Sequence, residues 1–326
     1  MKTKYFLMSV TYVLLFGNPN VFGQWVRLTP QYSPDIWALA QQGPVIYAGM
    51  DNGIFKSTDY GSTWSASGLT GTNVRAIFIG DEVVYAGTDS GVYSSTNNGS
   101  TWLSDGLLDT SISSLCRLGD LMFAGTAGRG VFFTSDNGVT WNLAGLSQSA
   151  VKSVASIGTK VLATVPSVGV FASADSGRSW NDFDIGLSTT NVGPLLVDSL
   201  AVYLGTINGV YTSLDSGRSW APKNSGWTYG MVTALAGAGA DLAAGTSVNG
   251  ILYSADTGTT WKCSNLTSWT NYIVSLAINA IALTGSDTSM FAGTSSFGVF
   301  HSTNAGITWT PQGLTSTPVR ALAADN

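Results

Sequence analysis

Seven octapeptides carry the most regular polar pattern in the chain, Ser/Thr-x-Asp/Asn-x-Gly-x-Thr/Ser-Trp. Carboxylates repeated at this spacing could bind metal ions or act as acids and bases. The alternative is turn chemistry, in which a short Asp or Asn side chain accepts backbone N–H bonds and the following glycine adopts a positive φ. We favour this structural role, with the tryptophan rings packed between repeats. The third-position residues are Asp59, Asn97, Asp136, Asp175, Asp215, Asp256 and Asn304, and the tryptophans are Trp64, Trp102, Trp141, Trp180, Trp220, Trp261 and Trp309.

Other residue types that commonly carry catalysis are scarce. The 326 residues include one histidine, His301, and two cysteines, Cys116 and Cys263. One histidine and two distant cysteines cannot assemble a zinc site or a disulfide framework. A catalytic triad built on His301 has no support, because that residue occupies a variable position of a repeated strand. The sequence therefore predicts no metal and no cofactor.

The octapeptides belong to a longer internal repeat. Successive tryptophans lie 38, 39, 39, 40, 41 and 48 residues apart. Each repeat also holds an apolar run such as VVYAGT at 83–88, a glycine-led run such as GVYSS at 91–95 and a looser upstream run such as VRAIFIG at 74–80. Four short strands per repeat are typical of propeller blades. We predict an all-β, seven-bladed β-propeller of four-stranded antiparallel blades, with one octapeptide between the third and fourth strands of each.

Two segments outside these seven units also resemble strands. Residues 24–28 resemble a lone fourth strand, and residues 319–324 resemble a lone first strand. A circular propeller usually closes by pairing strands from both termini, which removes exposed sheet edges. We therefore expect terminal overlap rather than an eighth blade.

The octapeptide resembles the Asp-box, or BNR, repeat, and the resemblance covers essentially all of residues 24–326. Such repeats occur in sialidases, xyloglucan-specific endoglucanases, sortilin-type receptors and photosystem II assembly factors; the arrangement of one box per blade is most similar to the last group. The resemblance implies the propeller fold and leaves function open. Sialidases of this type use an arginine triad and a Tyr/Glu pair. The single glutamate, Glu82, is expected on the octapeptide side, which disfavours that chemistry.

The loops opposite the octapeptides are the expected ligand face. Exposed aromatic rings there stack on sugars or anchor protein partners, although such rings could also simply cap the core. The candidate ligand-binding residues are Trp227, Tyr229, Trp269, Tyr272, Trp37 and Arg75.

Two aspartates on the same face are the candidate catalytic pair. Asp51 and Asp89 occupy equivalent loop positions in adjacent blades. A glycosidase needs two carboxylates about 5–10 Å apart across a bound sugar. Equivalent loop aspartates in a repeat are more often turn formers, so we expect no catalysis by this pair.

Composition and the N-terminus indicate where the protein acts. Charged residues make up 10% of the chain, and the net charge of −5 argues against binding nucleic acid phosphates. The apolar run at 5–16 is too short to span a bilayer. Residues 1–23 read as a secretory signal peptide, with cleavage before Gln24. We expect residues 24–326 to form a single propeller domain without a transmembrane segment, exported to the periplasm, the cell surface or the medium.

The predicted function is a secreted, non-catalytic binding or assembly scaffold, expected to be a monomer. Its loop face would recognise a protein, a peptide or a carbohydrate. A rigid ring orders these loops in advance, which reduces the entropy lost on binding. The alternative is a xyloglucanase-like or sialidase-like glycoside hydrolase that uses the loop aspartates.

Overall fold

The computed structural model describes residues 36–80, 82–198, 201–227, 230–264, 278–283, 290–294, 299–312 and 323–324. Every helix or strand assigned in these ranges is a β-strand. None of these residues forms a helix long and apolar enough to cross a membrane.

The strands form seven sheets, and in each sheet four consecutive strands of the chain lie side by side in chain order. Within a sheet the four consecutive strands pair antiparallel, as in β5 with β6 and β6 with β7. Blade 1 contains β1 (Ile36–Gln42), β2 (Val45–Met50), β3 (Gly53–Ser57) and β4 (Ser65–Gly68); blade 2, β5 (Val74–Ile79), β6 (Val84–Thr88), β7 (Gly91–Ser95) and β8 (Leu103–Ser104); blade 3, β9 (Ile112–Leu118), β10 (Leu121–Thr126), β11 (Val131–Thr134) and β12 (Asn142–Gly145). Blade 4 contains β13 (Ser153–Ile157), β14 (Lys160–Val165), β15 (Gly169–Ser173) and β16 (Asn181–Asp182); blade 5, β17 (Val192–Val197), β18 (Val202–Thr206), β19 (Gly209–Ser213) and β20 (Ala221–Pro222). Blade 6 contains β21 (Val232–Ala238), β22 (Asp241–Thr246), β23 (Ile251–Ser254) and β24 (Lys262–Cys263), and blade 7, β25 (Ile278–Leu283), β26 (Met290–Thr294), β27 (Val299–Ser302) and β28 (Thr310–Pro311). The predicted seven-bladed propeller is confirmed.

The core lies between neighbouring blades rather than inside any one of them. Strands β6 and β18 are buried along their whole length, because a neighbouring blade covers each face of the sheet. Seven clusters of buried side chains each join two adjacent blades. One of them packs Leu39 and Ile46 of blade 1 against Phe291 and Val299 of blade 7, so the ring is closed.

Glycine in the second strand sets how closely blades approach each other. A Cβ atom on Gly87 would lie 2.6 Å from Cγ2 of Ile112 in the next blade, and one on Gly205 would lie 2.6 Å from Cγ1 of Val232. Because real Cβ atoms do not approach this closely, any larger residue would force the blades apart. These glycines therefore set the spacing between β6 or β18 and the following blade.

One additional strand, β29 (Ala323–Ala324), joins blade 1. It pairs parallel with Ala40 and Gln41 of β1, so this blade has five strands. The predicted lone inner strand at 319–324 thus contributes its last residues to the edge of β1. The predicted outer strand at 24–28 lies outside the described residues.

The octapeptide turns have one hydrogen-bonding scheme. In blade 3, Asp136 Oδ1 accepts from the Thr140 amide at 2.8 Å, Asp136 Oδ2 accepts from Thr140 Oγ1 at 2.6 Å, and the Gly138 amide donates to Thr134 Oγ1 at 3.0 Å. Gly138 has a φ of 97°, which only glycine adopts without strain. Trp141 Nε1 donates to the Asp105 carbonyl of the preceding blade at 2.6 Å. The aspartate therefore closes its own turn, and in blades 2 to 6 the tryptophan also bonds to the preceding blade. Trp64 and Trp309 instead donate to the glycine carbonyls of their own turns.

Candidate functional site at the channel mouth

One backbone position, repeated in every blade, shapes the mouth of the central channel. It is the second residue of the inner strand in most blades, where the pairing with the second strand skips a residue, as between Val74 and Ala76 of β5. Such a β-bulge turns the side chain of the extra residue out of the ladder. In blade 4 the equivalent residue directly precedes β13. The residues at this position that line the channel are Trp37, Arg75, Ser113, Lys152, Gly193 and Thr233. We call them the mouth ring.

The channel behind this ring is a cavity of about 760 Å³. Its walls come from the inner strands of at least six blades, and its polar lining includes the hydroxyls of Ser111, Ser114 and Ser153. A space of this size is within the range of small-ligand and peptide side-chain pockets. The geometry therefore gives the protein a concave surface at the end where the loops lie.

Four of the residues singled out from the sequence form one connected group in blades 1 and 2. Trp37 Nε1 donates to Asp51 Oδ1, and the Arg75 guanidinium lies over the Trp37 ring at 4.1 Å from its centroid. Arg75 also forms an ion pair with Asp89, with Nη2 at 2.9 Å from Oδ2. Each loop aspartate thus holds the mouth-ring residue of its own blade, and the two ring residues stack on each other.

Asp89 has an electrostatic environment that favours its ionised form. Burial opposes ionisation, but hydrogen bonds from Arg75, Asn73 and Ser111 outweigh it and lower the pKa of Asp89 below its ordinary value. Asn73 Nδ2 lies 2.8 Å from Oδ2, and Ser111 Oγ lies 2.9 Å from Oδ1. A general acid in a glycosidase needs a raised pKa so that it holds a proton at neutral pH. Asp89 is therefore poorly suited to donate a proton.

Lys152 is the second cation of the mouth ring, two blades from Arg75. Its side chain is exposed to the channel, but the surrounding walls remove part of its hydration, and this desolvation together with the charge of Arg75 lowers the pKa of Lys152. Within the described parts of the chain, the only ion pair is that of Arg75 with Asp89. Among the described residues no carboxylate pairs with the Lys152 ammonium, which faces the channel.

The loops between second and third strands divide the mouth into two arcs. In blades 1 to 3 these turns are polar and include Asp51, Asp89 and Arg129, whose Nη1 donates to Thr110 Oγ1. In blades 4 to 6 the corresponding turns, together with the segment that enters β21, expose apolar side chains. These residues and their exposed fractions are Val168 at 54%, Ile207 at 45%, Met231 at 45% and Val248 at 45%. We call this set the apolar arc.

Of the four predicted loop aromatics, Trp227 lies among the described residues. Trp227 is half-buried and packs edge-on against Trp261, with ring centroids 5.5 Å apart, and it does not line the channel. Tyr229, Trp269 and Tyr272 lie outside the described residues. Sequence reasoning missed Lys152 and the apolar arc. A signal for Lys152 was present, because VKSVASIG at 151–158 matches VRAIFIG at 74–80 and places this lysine where the latter has Arg75.

Comparison with known proteins defines the class. No family model matches the chain, and no curated protein sequence matches it significantly. Among solved structures, the extracellular domain of BT4673 from B. thetaiotaomicron aligns with a TM-score of 0.69 at 17% identity, over 84% of this chain and 39% of that one. YCF48 bound to a D1 peptide aligns with a TM-score of 0.67 at 14% identity, over 81% and 91% of the two chains. The GH74 xyloglucanase from Xanthomonas campestris aligns with a TM-score of 0.61 at 14% identity, over 85% of this chain and 54% of that one.

These likenesses show the fold. The chain is a seven-bladed β-propeller, and its structural neighbours include a peptide-bound protein and a polysaccharide-degrading enzyme. It spans less than two thirds of the BT4673 and xyloglucanase chains.

Proposed function

We propose that the protein is a non-catalytic binding propeller whose ligand, a peptide segment of a partner protein, enters the channel mouth. One observation carries this proposal. Equivalent positions of the mouth ring, which the repeat would allow to be identical, hold six different residue types around an open cavity of about 760 Å³. The stacked pair of Trp37 and Arg75 is fixed on both sides by Asp51 and Asp89, so this surface loses little side-chain entropy on binding.

The hydrolase alternative has less support. Asp51 accepts from the Trp37 indole, and Asp89 is surrounded by three donors, so the two carboxylates are engaged with the protein. The apolar character of blades 4 to 6 also suits a peptide better than a hydroxyl-rich sugar. The xyloglucanase among the structural neighbours shares the fold at 14% identity, which does not carry its activity to this chain.

The same proposal includes export and the Asp-box assignment. The seven octapeptides, with their shared turn hydrogen bonds, support membership among Asp-box propellers. The BT4673 neighbour is an extracellular domain, which agrees with removal of residues 1–23 as a signal peptide. Mass spectrometry of the protein released by a bacterial host tests this, because cleavage before Gln24 gives a defined shorter mass.

Binding is tested directly with two kinds of probe. The purified protein is run through gels that each contain one polysaccharide, with the sugar analysed for new reducing ends, and is also incubated on an array of capped synthetic peptides. We expect retention on peptides and no sugar products. Arg75→Ala should weaken peptide binding, while Arg178→Ala, which changes the same residue type in an octapeptide turn, should not. Products that disappear in Asp51→Asn or Asp89→Asn would replace the proposal with the hydrolase.

A further inference from the structure

We propose that Lys152 and the apolar arc form one docking site for an extended peptide segment in which an acidic side chain is flanked by apolar ones. This inference rests on the proposed function and specifies the chemistry of its ligand. The site spans blades 4 to 6, away from the group formed by Trp37, Arg75 and their aspartates.

The cationic end of the site is Lys152. Its ammonium group makes no hydrogen bond or ion pair within the described residues, whereas Arg75, at the equivalent position in blade 2, is neutralised by Asp89. The lining of the same channel includes Ser153 and Asn191. A cation without a partner among the described residues, in a recess that is lined by neutral hydrogen-bonding groups, favours binding of an oxyanion. A carboxylate is a suitable ligand because its charge-assisted hydrogen bonds are stronger than those between neutral groups.

The apolar end continues from blade 4 to blade 6, and hydrogen bonds join the segments that carry its side chains. Ser167, beside Val168, lies 3.3 Å from the Asn191 side chain, and the Asn191 carbonyl accepts from the Ile207 amide at 3.2 Å. One blade further, the Met231 carbonyl accepts from the Ser247 amide at 2.9 Å, next to Val248.

Met231 of the apolar arc lines the channel together with Lys152, and so do Pro166 and Asn191, next to the segments that carry Val168 and Ile207. Exposed apolar side chains clustered beside a recess are typical of binding surfaces. The combination of a single cation and an apolar arc complements a peptide better than a polyanion.

Defined peptides test this assignment. Fluorescein-labelled, end-capped decapeptides are titrated against the purified full chain by fluorescence anisotropy. Four compositions are compared: Leu/Val peptides that contain Asp, Leu/Val peptides that contain Asn, Leu/Val peptides that contain Lys, and Ser peptides that contain Asp. We expect the Leu/Val peptides with Asp to bind at least about tenfold more tightly than those with Asn, the effect of one charge-assisted hydrogen bond. The Leu/Val peptides with Lys and the Ser peptides with Asp should bind more weakly still.

Variants separate the two ends of the site. Lys152→Met keeps most of the aliphatic stem and should reduce binding of the acidic apolar peptide to the level of the Asn peptide, while Lys152→Arg should retain it. Val168→Ser combined with Val248→Ser should weaken both Leu/Val peptides by similar factors. Because these side chains are exposed, thermal unfolding should match that of the parent protein, which shows that the variants remain folded.

Three outcomes would overturn the inference. Peptide binding that is lost in Arg75→Ala and unchanged in Lys152→Met would leave the proposed function standing and place the site in blades 1 and 2. Equal binding of the Ser/Asp and Leu/Val/Asp peptides would reduce the site to a general anion site. Retention of polygalacturonate through Lys152, with no peptide bound, would make the ligand an acidic polysaccharide and contradict the proposed peptide function as well.

Discussion

The two ends of the propeller use the same repeat in opposite ways. At the octapeptide end, the seven third-position residues are all Asp or Asn, and each accepts the amide of the residue four positions later at 2.8–2.9 Å. At the mouth, one repeated backbone position carries Trp, Arg, Ser, Lys, Gly and Thr in six blades. The octapeptide residues are alike because each blade needs the same turn hydrogen bonds. The mouth-ring residues differ because the fold does not require one particular side chain at that position.

The difference is also one of hydrogen bonding. Octapeptide side chains bond within their own turn or to the preceding blade, so the interactions stabilise the ring. Mouth-ring side chains in blades 1 and 2 each bond to an aspartate of their own blade and stack on each other, and Lys152 in blade 4 faces the channel. We therefore propose that the octapeptide end mainly stabilises the ring and that the mouth binds the ligand. Substitutions at the two ends should accordingly separate unfolding from binding.

The largest effect is expected at an octapeptide tryptophan. Trp220 is 4% exposed, and its Nε1 donates to the Phe183 carbonyl of the preceding blade at 2.7 Å. Trp220→Ala removes this contact between blades 4 and 5 and leaves a cavity, which should cost about 3–5 kcal/mol of unfolding free energy. Urea unfolding followed by circular dichroism measures it. The matched change at the mouth, Trp37→Ala, should cost much less because that ring is only half-buried. Equal losses would show that the mouth is also part of the scaffold.

A smaller loss of stability is expected at acidic pH. Hydrogen bonds from Thr134 and Thr140 lower the pKa of Asp136 to about 2, from an ordinary value of 3.8. Because the folded-state pKa is depressed, the stabilisation is fully present above about pH 3.8 and is lost as the pH falls towards about 2. The urea midpoint should therefore fall across this window. The aspartates whose pKa is lowered to about 2 in this way are Asp136, Asp175, Asp215 and Asp256.

The chain contains its own control for this prediction. Asn97 occupies the same position in blade 2, where its Oδ1 accepts from the Thr101 amide at 2.8 Å and its Nδ2 donates to Thr101 Oγ1 at 2.8 Å. Asp136→Asn can make the same bonds, so it should change stability little at pH 7. The urea midpoint of this variant should fall less than that of the parent protein between pH 3.8 and about 2. An equal fall in both proteins would mean that other groups control acid unfolding.

Much of the fold could be predicted from the sequence, because a repeat shows its period directly. The tryptophan spacing gave the blades, and the alternation of Ala-Gly-Thr runs with glycine-led runs gave strands β6 and β7 close to their observed bounds. The parallel pairing of β29 with β1 was not predicted, since nothing in a two-residue strand specifies its partner.

The candidate site could be predicted only in part. Trp37, Arg75, Asp51 and Asp89 were each selected, but as separate aromatic, cationic and acidic candidates. Their connection depends on bulges that rotate Trp37 and Arg75 out of the ladder, and one residue of register decides where a strand side chain points. The aromatic content of the loop at 221–232 drew attention to Trp227, whose contact with Trp261 depends on the path of the chain towards the next blade.

The smallest effect on stability is expected from Asp89→Asn. This variant also tests the difference between the octapeptide end and the mouth. The ion pair with Arg75 is about one-third exposed, at 30% and 31% for the two side chains, so its loss should cost less than about 1 kcal/mol. The change leaves Arg75 unneutralised near Lys152, so acidic apolar peptides should bind about two- to fivefold more tightly, the equivalent of a weak ion pair. Anisotropy titrations at low and high salt measure this, since salt screens the added charge. Asp182→Asn, on the outer strand β16, is the control with the same change of charge. Weaker binding in Asp89→Asn alone would mean that Asp89 serves the mouth by holding Arg75 in place, and the electrostatic account of the mouth would have to be abandoned.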